Sequence, residues 1–205
     1  MQSPVALLFV ILLSALAGAA LAHGWGRRRC QAQLAALCDR DRVTDLPGRN
    51  AMLASLARYC ALAERQPQPL TVLFVEVDGH EAMQARLPRA ESERLERQLA
   101  ERMAERVRAY DQLGQWGRWQ FLLLMPQSDI SSALVLVDDL RQVVSDPPLQ
   151  AGGELQPLTI SVGLHGLGSE RHSPHKAAAE ALVLAARRAL EATAADGPNR
   201  IEVEP

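Results

Sequence analysis

Gln115-Trp116-Gly117-Arg118-Trp119-Gln120-Phe121 joins Leu113 to the apolar run Leu122-Leu123-Leu124-Met125-Pro126. A glycine between two strand-like pieces reads as the tip of a β-hairpin, with residues 119–125 as its second strand. Two tryptophans and an arginine are bulky for such a tip. Trp116 and Trp119 read first as cross-strand packing residues. Their alternation leaves one of the two facing solvent, where it would suit a partner contact.

The segments on either side fix the class. Residues 70–77, LTVLFVEV, form a continuous aliphatic and β-branched run, the pattern of a buried strand. Before it, Met52, Leu53, Leu56 and Tyr59 recur at helical spacing in a helix over residues 50–64, which Gln66-Pro67-Gln68-Pro69 ends. After it, Leu95, Leu99, Met103 and Val107 step by four along a helix over residues 89–110, with Arg and Glu on its solvated face. Ser128 caps a helix reaching about residue 145, and Pro147-Pro148 and Gly152-Gly153 mark a loop. A strand over residues 158–164 comes next, then a helix opened by Ser173-Pro174 and running to about residue 194, then a short strand over residues 200–203. This order predicts an α/β (α+β) domain: a mixed central sheet of about five strands flanked by helices.

Residues 5–21 carry no charge and reach the minimum length for a bilayer span, and Arg27-Arg28-Arg29 lies just downstream. The arginines place the C-terminal body of the chain on the cytoplasmic side. The expected organisation is a transmembrane anchor at 1–24, with Trp25 beside it in the interfacial collar, a linker helix at 25–40 and a domain at 41–205. A signal peptide cleaved after Ala20-Leu21-Ala22 is the competing reading; it lacks a positive n-region. The expected location is a bacterial inner membrane, single-pass, with the domain cytoplasmic. The net charge of -2 and the lack of any basic stripe beyond those arginines exclude duplex nucleic acid as the main partner. Cys30, Cys38 and Cys60 are too few and too widely spaced for a disulfide framework or a zinc site and read as reduced thiols. His172 and His175 lack a third ligand and read as surface residues.

Five landmarks in order carry a resemblance. Asp41-Arg42-Val43-Thr44-Asp45-Leu46-Pro47-Gly48-Arg49 is similar to D-x-L-T-G-L-P-N-R. Glu76-Val77-Asp78-Gly79-His80 stands in place of D-x-D-x-F, and Gly117-Arg118-Trp119-Gln120-Phe121 in place of G-G-D-E-F. Thr159-Ile160-Ser161-Val162-Gly163 is similar to T-x-S-x-G, and Gly197-Pro198-Asn199-Arg200 to a terminal G-R-N. Together they resemble the GGDEF family of diguanylate cyclases over residues 41–203.

The resemblance implies an enzyme that joins two GTP molecules into cyclic di-GMP across a homodimer with magnesium, and it also shows what is missing. Two carboxylates should hold the metal and two glycines should admit the phosphates. Arg118 replaces the second glycine, with a side chain expected to fill phosphate space, and Trp119 and Gln120 replace the acids. Glu76 stands for the metal-binding Asp, while Gln84 and Glu93 stand for the guanine-contacting Asn and Asp, each a methylene longer. The phosphate-binding Lys and Arg fall on Ala194 and Pro198. These positions imply a vestigial substrate site with no resident metal or cofactor; magnesium would enter only with residual activity.

Arg108-Ala109-Tyr110-Asp111 lies five residues before Gly117, where many family members bind the cyclic product through Arg-x-x-Asp. The resemblance thus implies cyclic di-GMP as a ligand of Arg108 and Asp111. The family's supporting arginine falls on Asp139, with Arg141 two residues on. From residue types alone, Arg108 and Asp111 also suit a helix end and a turn start. The residues leave three functions open: a catalytically inactive, membrane-anchored cyclic di-GMP receptor; a nucleotide-independent scaffold for a membrane-protein partner or homodimer; and a residual cyclase.

Overall fold

The structure, a computed structural model, describes residues 39–66, 68–167, 175–193 and 197–204. The expected anchor, Cys30, Cys38, His172 and Ala194 lie outside the described residues, as does the linker helix except for residues 39 and 40. Among the described residues no helix is long and apolar enough to cross a membrane.

Among the described residues, helices α1 (Arg49–Arg65), α2 (His80–Arg86), α3 (Arg89–Ala104), α4 (Ile130–Ser145) and α5 (His175–Thr193) accompany seven strands. These are β1 (Leu70–Val77), β2 (Gln112–Gly117), β3 (Gln120–Pro126), β4 (Leu149–Ala151), β5 (Glu154–Gln156), β6 (Ile160–Leu167) and β7 (Ile201–Glu204). Five strands form one sheet in the order β2-β3-β1-β6-β7, and β4-β5 form a separate hairpin. Neighbours in the large sheet are antiparallel except β6 and β7. The sheet is therefore mixed, with five strands, as the sequence pattern predicts.

The apolar run of β1 is explained by helices on both faces of the sheet. Leu73, Val75 and Val77 pack with Leu95, Leu99 and Met103 of α3 and Val137 and Leu140 of α4. Leu70, Val72 and Phe74 alternate onto the other face, against Met52 and Leu56 of α1 and Leu182 and Ala186 of α5. With no solvent face, the strand is polar only at Thr71, whose hydroxyl donates to the Ser128 carbonyl, and at Glu76. Cys60 is buried on the second face, and burial pushes its thiol up to about 11, which leaves it neutral near pH 7.

Several elements differ from the sequence pattern. The helix expected to reach residue 110 stops at Ala104. Its apolar stripe continues through Val107, yet that residue packs on the core from a turn, tied by Val107 N–H to Ala104 O. The helix after the hairpin is capped by Asp129, whose carboxylate accepts from Ser132 N–H at 2.8 Å. Ser128 is buried instead, its carbonyl held by the Thr71 hydroxyl. Gly152 and Gly153 turn a tight hairpin between β4 and β5, both with positive φ, in place of the expected loop. Strand β6 starts at Ile160, two residues late, and runs on to Leu167.

At Gly163 the backbone of α5 lies directly against the sheet. A Cβ there would sit 2.1 Å from Ala186 O and 2.3 Å from Leu190 N, both backbone atoms that cannot rotate away. Gly163→Ala should therefore cost about 1–3 kcal/mol, read as a lower urea midpoint at unchanged slope.

Candidate functional site

The tip of the β2–β3 hairpin is a two-residue turn, Arg118-Trp119, closed by the Gly117–Gln120 pair. Trp119 has φ 61, and its ring is fully buried in the α3-side core. A bulky residue in the left-handed region is strained; the apolar contacts of the indole oppose that strain. Trp116 is half-buried, edge-on to Phe74 at 6.0 Å between centroids, with the Arg49 guanidinium 4.4 Å from its own ring centroid. Trp119 is closed off from solvent, and Trp116 is the partly exposed one of the two.

Trp119 is anchored by a residue that no sequence motif singles out. Glu96 of α3 is buried, and its Oε1 accepts from Trp119 N–H at 2.7 Å and Gln115 Nε2 at 2.8 Å. Burial outweighs these bonds and the Arg118 charge and raises its carboxyl above the usual glutamate value. Gln115 in turn accepts from the Thr44 hydroxyl, and the Thr44 backbone N–H donates to Asp41. A buried polar chain thus runs from the segment before α1 to the hairpin tip. Glutamate on a strongly charged helix gives no sequence signal of burial.

Arg118 turns toward α3, giving Nη2–H to Ser92 Oγ at 3.0 Å, with its Nε 3.9 Å from Glu96. It does not fill the space expected for phosphates. That cleft, of about 770 Å³, lies on the other side of the tip and is lined by Glu76, Asp78, Gly79, Gln120 and Ser161. Its lining arginine, Arg187, is paired with Glu191 at 3.0 Å. Asp78 is committed to the fold, accepting from Thr159 and Ser161 hydroxyls and from Asn199 N–H.

Glu76 and Gln120 meet directly, with Gln120 Nε2 donating to Glu76 Oε2 at 2.5 Å. His80 stands beside them, its Nε2 3.6 Å from Glu76 Oε1, while Gln84 Nε2 donates to His80 Nδ1 at 3.0 Å. Accepting at Nδ1 puts the proton of the neutral ring on Nε2, toward Glu76. Glu93 is elsewhere, held by Arg89 at 2.6 Å, a bond that lowers its pKa. The structure therefore links Glu76, Gln84 and Gln120 and leaves Glu93 apart. A magnesium ion needs convergent oxygen ligands. One carboxylate with an N–H aimed at it does not fit that ion. Among the described residues no group of three or more His, Cys, Asp or Glu could hold a metal.

A model of the GGDEF diguanylate cyclase domain matches residues 38–200. This chain belongs to the GGDEF family. Curated relatives of this GGDEF chain include response regulator PleD of Caulobacter vibrioides, 26% identical over 163 residues, which are 78% of this chain and 35% of PleD. Another is the bifunctional diguanylate cyclase/cyclic di-GMP phosphodiesterase MucR of Pseudomonas aeruginosa, 28% identical over 147 residues, 70% of this chain and 21% of MucR. The chain thus spans about a third of the length of PleD and less of MucR. Among solved structures, the GGDEF domain of DgcB from Caulobacter crescentus, in complex with c-di-GMP, aligns with a TM-score of 0.73 at 19% identity, covering 81% of this chain and 95% of that one. The FimX GGDEF domain of Pseudomonas aeruginosa gives 0.73 at 23%, covering 80% and 98%. Both share the fold.

In this GGDEF domain Arg108 and Asp111 occupy the turn between α3 and β2, joined by Asp111 N–H to Arg108 O at 3.0 Å. Arg108 is exposed and gives Nη1–H to the Tyr110 hydroxyl. Asp111 is buried, and neither carboxylate oxygen has a hydrogen-bond partner. Burial raises its carboxyl pKa, with Arg108 opposing.

Proposed function

We propose that this chain is a catalytically inactive GGDEF-domain protein that binds cyclic di-GMP at Arg108 and Asp111 and relays that signal at the bacterial inner membrane. What supports the reading is a contrast between the two ends of β2. At one end, Gln120 closes on Glu76, so the metal positions satisfy each other. At the other, Asp111 holds two carboxylate oxygens without partners beside an exposed guanidinium. Guanine offers adjacent N–H donors for a carboxylate, and its Hoogsteen edge and the phosphates of cyclic di-GMP suit arginine. A GGDEF domain of the same fold, that of DgcB, was crystallised with c-di-GMP. The N-terminal apolar stretch and Arg27-Arg28-Arg29 supply the tether, with the domain cytoplasmic and a membrane-protein partner or second copy receiving the signal.

Titration calorimetry of the purified full chain with cyclic di-GMP tests the binding. Saturable heat is expected, weakened about tenfold or more in Arg108→Ala, a change of about 1.4 kcal/mol per decade. No heat, or unchanged affinity in that variant, rejects the receptor reading and leaves the scaffold. Scaffold docking through the tryptophans is disfavoured, since Trp119 is buried and Trp116 lies against Arg49. Incubation with GTP and magnesium should give no cyclic product; clear turnover would overturn the inactivity.

A further inference from the structure

Asp111 stands where the turn after α3 enters β2, with 6% of its surface exposed. Both carboxylate oxygens are closed to solvent, and neither accepts a hydrogen bond among the described residues. A buried carboxylate without donors is costly. Two things relieve that cost: a proton on the group, or donors brought from outside. We infer that ligand binding expels a proton from the Asp111 side chain, so that acidity weakens the binding of cyclic di-GMP. The inference rests on the receptor reading of Arg108 and Asp111.

The surroundings favour the neutral acid in the free domain. From α1, Tyr59 faces Asp111 closely enough for the two to interact electrostatically, and Arg58 acts on Tyr59 in the same way while donating to Ser55 Oγ. From the sheet, β3 runs past with Leu123, Leu124 and Met125, which carry no charge. From its own turn comes Arg108, whose guanidinium is exposed and screened by water. Burial outweighs that single cation and raises the carboxyl above the usual aspartate range.

A ligand donor reaches either oxygen only when their cover moves. Residues 104–110 lead into Asp111, and all are exposed except half-buried Val107. A turn with so few buried contacts opens at small cost. Its one side-chain tie, Arg108 Nη1–H to the Tyr110 hydroxyl at 3.2 Å, joins two exposed residues. Once open, the protonated acid is a poor match for guanine, because one of its oxygens carries a hydrogen. Guanine brings two adjacent N–H donors, and they need both oxygens as acceptors. The proton therefore leaves to solvent as the two bonds form, and no co-reactant is required.

Calorimetry of the full chain with cyclic di-GMP between pH 4.5 and 7.5 tests this. The dissociation constant should rise toward acid, by up to about tenfold per pH unit once the free carboxyl is protonated. Titrations at the acid end in two buffers of different ionisation enthalpy should show net proton release. A ligand-free arm reads the same group. Asp111→Asn should melt about 2 °C or more above the parent near pH 7, with the gap closing toward pH 4. The parent loses the stability linked to its neutral acid as pH rises through the raised value, and the asparagine variant does not. A residue that merely held the turn would lose stability when replaced. Flat affinity with no proton release, or an Asp111→Asn variant that melts below the parent at every pH, overturns the inference and leaves the receptor standing. No binding at any pH rejects the receptor reading and takes the inference with it.

Discussion

Trp119→Ala should lower the unfolding free energy by about 3–5 kcal/mol, the range for emptying a buried indole. The ring is fully buried among the residues that join α3 to the sheet, so the cavity would lie at the centre of one core face. Aspartate at this position, the residue of the family signature, should be worse. It would leave the cavity and add a second carboxylate close to buried Glu96. Urea denaturation followed by circular dichroism gives both numbers. If Trp119→Asp were as stable as the parent, the indole would contribute nothing to packing and the description of the tip would be wrong.

Glu96→Ala should cost about 2–5 kcal/mol, because Trp119 N–H and one Gln115 N–H would lose their acceptor in a site closed to water. Glu96→Gln keeps an oxygen for both donors and behaves differently with pH. The folded-state carboxyl is raised by burial, so the stability linked to its neutral form is full below the unfolded glutamate value and is lost as pH rises through the raised one. The glutamine variant lacks that loss. It should match the parent near pH 4 and exceed it near pH 7, measured as melting temperature across that interval. Equal melting temperatures at both ends would show that burial does not shift this group.

Much of this fold can be read from patterns whose cause is local. The run at Leu70–Val77 is apolar because helices cover both faces, and the period-four stripe on α3 is the face that meets β1. Legibility fails where tertiary context decides. Val107 continues the stripe but belongs to a turn, because the chain must reverse at Asp111 to enter β2. Alternation puts one tryptophan outside, yet Trp119 sits in the turn itself, where the strand period does not apply. At the site, that Trp119 and Gln120 are not acidic is plain in the sequence. That Gln120 turns its amide onto Glu76, and that Arg118 turns toward Ser92 of α3, depends on side-chain direction. The network through Glu96 is invisible for the same reason.

The position of β1 in the sheet bears on how the chain comes together during synthesis. Its two neighbours lie far downstream: Leu70 faces Pro126 on one side and Leu167 on the other. The middle strand leaves the ribosome first among the five and stays unpaired until most of the domain has emerged. A nascent chain stopped before residue 160 exposes one long apolar edge, which is the kind of surface chaperones hold and aggregates recruit.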